Sequence, residues 1–289
     1  MKRFLTLALG LSLAMGILSG CGKTSEDGES GTDEIVLEEK SEDDIVSEEE
    51  DATAFDRFFD CYADTELAES ITKDKHVVMN MFAETDHPYV IDSNTHIAKV
   101  KDGEGDNYKA NFVLDDTVAG NSSLMEASYA DGFLYYALED KLYKQSYEWS
   151  DVKYMIDGYY FKLYEYTVSE IHTTNYKDGS QKLEFTFNLQ NLAEAPDEEI
   201  FEILSVTGTT YKNLAFNEAS FVGYIDADGY VTGYEMYYDG QVYADSDVFT
   251  FKYTTTVQYS DINKTEIEIP DNPDDYEPVE TEAEEETNQ

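Results

Sequence analysis

The sequence predicts a mainly β (α+β) fold, built on an antiparallel meander with a few helices. Three observations carry the prediction. Tyr accounts for 24 of the 289 residues, and aromatic side chains favour strands. Several stretches alternate apolar and polar residues with the period of two that a half-buried strand requires. Asp-Gly pairs, which adopt the positive φ of tight hairpins at low cost, stand among them.

The clearest strand runs from Asp247 to Tyr259. Phe249, Phe251, Tyr253, Thr255, Val257 and Tyr259 make one face, and Val248, Thr250, Lys252, Thr254, Thr256 and Gln258 the other. Leu183, Phe185, Phe187 and Leu189 alternate with polar residues in the same way, as do Tyr230, Thr232, Tyr234, Met236 and Tyr238. Ile267 and Ile269 suggest a last short strand before Pro270. Turns are expected at Lys177-Asp178-Gly179, at Asp226 to Gly229 and at Tyr238-Asp239-Gly240, and Asp131-Gly132 separates two more apolar runs.

Helices are fewer. Phe55, Phe58, Phe59 and Tyr62 recur at helical spacing, with Leu67 and Ile71 as a continuation. Trp149, Val152, Ile156, Tyr159 and Leu163 mark a second helix, interrupted at Asp157-Gly158. Pro196 followed by Asp197, Glu198 and Glu199 starts a third over Ile200 to Leu204, with Pro and acids where the first turn favours them.

The ends of the chain differ from its middle. Met1-Lys2-Arg3 is basic, Phe4 to Leu18 carries no charge, and Leu18-Ser19-Gly20-Cys21 follows. This is the order of a secretory signal, and the apolar run is shorter than the roughly 20 residues a membrane-spanning helix needs. Leu18 to Cys21 resembles the lipobox of bacterial lipoproteins. The resemblance implies cleavage before Cys21, diacylation of its thiol and a membrane anchor, since two acyl chains hold where one does not. The expected location is extracytoplasmic, on the membrane. Residues 21–52 hold 14 acids and 2 bases, and residues 271–289 hold 9 acids and no base. Such segments bury too little apolar surface to fold, so they read as a disordered tether and a disordered tail. Residues 53–270 are left as one β-rich domain.

The formal net charge is −44. Nucleic acid is excluded as a partner, because binding it needs clustered Lys and Arg. Anionic headgroups are repelled as well. The acidity itself reads as solubility. With Cys21 lipidated, Cys61 has no disulfide partner in the chain, and it reads as a half-buried thiol on the first helix. His76, His87, His96 and His172 have no metal-ligand spacing, and the chain contains neither Cys-x-x-Cys, Gly-x-Ser-x-Gly nor a P-loop. Asp226-Ala227-Asp228-Gly229 has its Gly two places too early for a calcium loop, so it reads as a hairpin turn. No cofactor, no metal and no catalytic residue is expected. An inward-facing charged cluster under the helices would point back towards an enzyme.

The layout of anchor, acidic tether, helix and meander resembles the open β-barrel lipoproteins of the LolA and LppX type. So does the closing stretch Tyr259-Ser260-Asp261-Ile262-Asn263 … Ile267-Glu268-Ile269-Pro270. The resemblance implies a curved sheet, an open half-barrel with helices on its concave face, and an apolar cavity that takes lipid. Candidate lining residues are Phe185, Phe187, Tyr234, Phe249, Phe251, Tyr253 and Val257 on strands, with Trp149 and Ile156 on the second helix. The expectation is a binding module for an apolar ligand. The alternative is an envelope accessory protein with a solid core and an exposed apolar patch.

Overall fold

The computed structural model describes residues 35, 37, 40–81, 89–103, 105, 107–138, 141–157, 161–196, 200, 213–244, 247–270 and 272–279. The signal segment, Cys21, His87 and most of the expected third helix lie outside the described residues. Thirteen strands form one sheet, and three helices accompany them among the described residues. The strands are β1 (Ile45–Glu50), β2 (Ser70–Met81), β3 (Tyr89–Lys101), β4 (Tyr108–Val118), β5 (Asn121–Ala130), β6 (Phe133–Leu138) and β7 (Lys141–Ser146). There follow β8 (Val168–Tyr176), β9 (Gln181–Phe187), β10 (Asn213–Ile225), β11 (Val231–Tyr243), β12 (Val248–Ser260) and β13 (Glu277–Pro278). The helices are α1 (Ala54–Glu66), α2 (Trp149–Asp157) and α3 (Leu189–Glu194).

The strand order is β1-β8-β9-β10-β11-β12-β2-β3-β4-β5-β6-β7-β13. Neighbours are antiparallel except β13, which runs parallel to β7. The sheet is curved and open, a half-barrel with two free edges. Two meanders meet in its middle, where β12 pairs with β2 in the register Phe251–Met81 and Tyr253–Met79.

Both long helices lie on one side, called here the inner face. Glu66 of α1 and Ile97 beneath α2 fix this. Glu66 bonds to Lys73 and Lys99, while Ile97 stands opposite Lys73 and two places from Lys99, on the same face. Phe58 of α1 lies 5.0 Å from Phe221, ring centre to ring centre. Gly223 permits that approach, because a Cβ there would stand 2.5 Å from the Phe58 ring. Under α1, β8 to β12 and β2 contribute one apolar cluster. Under α2, Ile97, Tyr108, Phe112, Tyr129 and Leu134 pack with Trp149, Val152 and Ile156 as a second.

Several expectations need correction. Residues 45–50, placed in the tether by composition, form β1 against β8. Backbone pairing settles the segment there while its Glu48, Glu49 and Glu50 stay exposed. Part of the acidic tail docks likewise: β13 pairs with β7, Lys144 donates to the Pro273 carbonyl, and Tyr276 packs on Tyr135. The first helix ends at Glu66, so Leu67 is exposed and Ile71 belongs to β2. The second ends at Asp157, and Phe161 and Leu163 pack as irregular chain. Asp239 and Gly240 are no turn but lie inside β11. Gly240 stands there for contact, since a Cβ would meet the Ala215 carbonyl oxygen at 2.5 Å and the Phe251 ring at 2.8 Å. Residues 265–270 form no strand. They cross the ladders instead of joining one: Thr265 meets the Thr72 hydroxyl, and Glu268 accepts from Asn111 on β4. The turns at Asp131-Gly132, Gly179 and Gly229 stand as expected, each with the Gly at positive φ.

Candidate functional site

The nominated lining residues do not form one group. Phe185, Phe187, Tyr234, Phe251, Tyr253 and Val257 belong to the cluster under α1, and all are buried. Phe249 is half-buried at the start of β12. Phe161 stacks on Tyr234 at 4.8 Å, and Phe185 lies 4.7 Å from Phe221. Trp149 and Ile156 belong to the other cluster, where Trp149 lies 5.5 Å from both Tyr108 and Tyr129.

Between the clusters the inner face changes character. Strand alternation sets Lys75, Ser93, Thr95, Leu114, Asp116, Ser123 and Met125 side by side across β2 to β5. All of them are half-buried, whereas Ile91, Ile97 and Phe112 around them are buried. Water therefore reaches the inner face along this strip. Ile91 and Val118 border it on the side of the cluster under α1, and its own Leu114 and Met125 pack against the cluster under α2.

One end of the strip is closed by a charged cluster that sequence reasoning missed. Glu66 ends α1 and is 4% exposed. Its carboxylate accepts from Lys73 at 3.1 Å, from Lys99 at 2.9 Å and from the Tyr259 hydroxyl at 2.6 Å. Lys73 and Lys99 are 5% and 3% exposed and also stand over the Tyr259 and Tyr108 rings. Burial alone would raise the Glu66 carboxyl. Lys73, then Lys99, and the Tyr259 bond outweigh it and hold the group well below the usual carboxylate range. Burial, together with the Glu66 charge, pushes the Tyr259 hydroxyl up. A charged cluster thus lies under the helices, but both its oxygens are occupied and it is sealed from solvent. It braces the helix end against β2, β3 and β12. The sequence carried a signal for it: Lys73 alternates with Ile71 on a face that also holds Val77 and Met79.

The remaining candidates are structural. Cys61 is a free, half-buried thiol that burial pushes up, so it is a poor nucleophile. His96 meets Asp74 at 2.6 Å and His76 meets Asp92 at 3.0 Å, both on the outer face. The bond to Asp74 raises His96. His172 lies in β8. Among the described residues no group of His, Cys, Asp and Glu could hold a metal ion. Asp226 accepts from the backbone of Asp228 and Tyr230, both at 2.9 Å, which is a turn and not a cation loop. A cleft of about 260 Å³ lies where Leu37 and Lys40 cross the outer side near Tyr176, Tyr224, Asp226 and Gln258.

No protein-family model matches the chain, and no curated protein matches it. Among solved structures it is similar to LprF from Mycobacterium bovis, at 12% identity over 78% of this chain and 98% of that one, with a TM-score of 0.36. An N-terminal dehydratase from the difficidin assembly line aligns over 73% of this chain and 86% of that one, at 10% identity and a TM-score of 0.12. At such scores neither likeness goes beyond general layout, and no functional argument follows from it.

Proposed function

We propose that the chain is an extracytoplasmic binding module, anchored by lipid on Cys21, that holds an apolar ligand, a lipid, on its inner face. The observation that carries this reading is the half-open strip between the two apolar clusters. α1 has 13 residues. A helix of that length is about 20 Å long, whereas strands stand about 4.8 Å apart, so even laid across them, from Phe221 on β10 to Lys99 on β3, it leaves much of a 13-stranded sheet uncovered. Apolar side chains border the strip on both sides, and the half-buried Met125 within it is an adaptable filler. The anchor rests on the Leu18 to Cys21 segment.

A second reading has its own support. The outer side of β5 to β7 exposes Leu124 (59%), Phe133 and Leu142, as a protein-binding surface would. Native mass spectrometry of residues 35–279, with organic extraction alongside, separates the two. The binding module shows a stoichiometric lipid that leaves on denaturation, or takes one up when phospholipid is added. A bare mass that persists with every lipid offered sinks that reading and leaves the accessory protein.

A further inference from the structure

The strip on the inner face holds one carboxylate that packing does not account for. Asp116 lies on β4 between Leu114 and Val118, with Ser93 of β3 and Ser123 of β5 opposite it. It is half-buried, and the Ser93 hydroxyl donates to it. Among the described residues no Lys, Arg or His pairs with it: Lys75, the lysine nearest on this face, stands diagonally across β3 and has an interaction of its own, and Lys73 and Lys99 serve Glu66. Glu66, fully buried, has two ammonium partners and a hydroxyl, whereas the half-buried Asp116 has a single hydroxyl. A carboxylate among Leu114, Val118 and Met125 without a counter-charge costs the folded protein stability. Burial pushes Asp116 up, Ser93 opposes this, and the neighbouring Asp115 adds to it. Acids left in such a state inside a cleft are marks of function.

We propose that Asp116, with Ser93 beside it, binds the headgroup of the ligand, and that this headgroup is a cationic amine. The inference rests on the reading of the inner face as a lipid site and adds what the site selects. A cation supplies the missing counter-charge, which a neutral hydroxyl does not. An anion is repelled both by Asp116 and by a folded part whose residues 53–270 hold 40 acids against 15 bases. The acyl chain then lies along Leu114 and Met125 or along Ile91 and Val118.

The test uses the mature chain, Cys21→Ser so that no lipid is attached, with dodecylamine, dodecanol and dodecanoate as probes of equal chain length. Binding is followed by native mass spectrometry below the micellar range. The amine should bind at least about tenfold tighter than dodecanoate, the size of one charge-assisted contact. Asp116→Asn should erase that preference and leave dodecanol unchanged. It should also raise the melting temperature of the empty protein by about 2 °C, because an uncompensated charge is gone. Asp116→Ser replaces it if the Asn variant does not fold. Asp115→Asn, one residue away but on the outer face, should keep the preference for the amine, which controls for general attraction of cations to an acidic surface. Equal binding of all three probes, or the same loss in Asp115→Asn as in Asp116→Asn, overturns the headgroup assignment and leaves the lipid site standing. No binding of any probe overturns both.

Discussion

Two acids on the same face of the sheet show how far burial and partnership can diverge. Glu66 has its charge answered on both oxygens, and removing it takes the carboxylate from two buried ammonium groups. Such a break typically costs about 3–5 kcal/mol. Glu66→Gln should therefore lower the denaturation midpoint in urea by that order. Its pH dependence follows from the folded carboxyl lying below its unfolded value of 4.5. The contribution is fully present above that value and is lost as pH falls through the folded one. The acid limb of stability against pH should thus be shallower in Glu66→Gln by about one proton. An unchanged limb would place the acid sensitivity in the surface carboxylates. Asp116 was legible in principle, because Phe112, Leu114, Asp116 and Val118 alternate with one acid among apolar residues. What sequence could not show is that among the described residues no cation pairs with it, since partners on neighbouring strands are set by register.

At the level of elements, alternation named strands well and turns less well. β11 and β12 stand where their period of two put them, and so does β9 up to Phe187, beyond which Leu189 opens α3. Gly240 misled because Asp-Gly marks a hairpin only when the chain reverses there, and here the glycine makes room for the Ala215 carbonyl of the neighbouring strand. Gly240→Ala should cost about 1–3 kcal/mol, the penalty of overpacking, read as a lower thermal midpoint. Gly229→Ala, at an open turn with nothing within 4 Å, should cost less, through its positive φ alone. Equal costs would show that β11 and β10 can move apart. α1 and α2 were legible from their aromatic spacing, but not their ends, and α3 was not legible at all, since Leu189 had read as the end of a strand. α1 stops at Glu66 because tertiary partners hold that residue, a cause no local pattern records.

For the whole molecule, composition drew the boundary of the folded part too tightly at both ends. Acidic residues resist folding when they must be buried, but an edge strand buries only backbone. Ile45–Glu50 and Glu277–Pro278 cover the two sheet edges with charge and proline, devices that discourage further strands from adding. Leu37 fits against Gly233, where a Cβ would stand 2.5 Å from it, and Lys177 reaches Asp44. A chain cut to residues 53–270 should melt lower than residues 35–279 and aggregate faster by light scattering, because β8 and β7 become bare edges. Equal behaviour of the two would show that the flanking strands are ornaments on a self-sufficient sheet.

The junction of β12 with β2 has a consequence in time. These neighbours lie at opposite ends of the chain, so the middle of the sheet forms only when almost all of the polypeptide is present. Long-range pairing of this kind makes folding slow, because loop closure must precede the contacts that reward it. A polypeptide emerging from a ribosome would have its first half without its central neighbour for most of synthesis. For a protein read as exported, that delay is useful, since a chain that cannot finish its sheet early stays open enough to be threaded across a membrane.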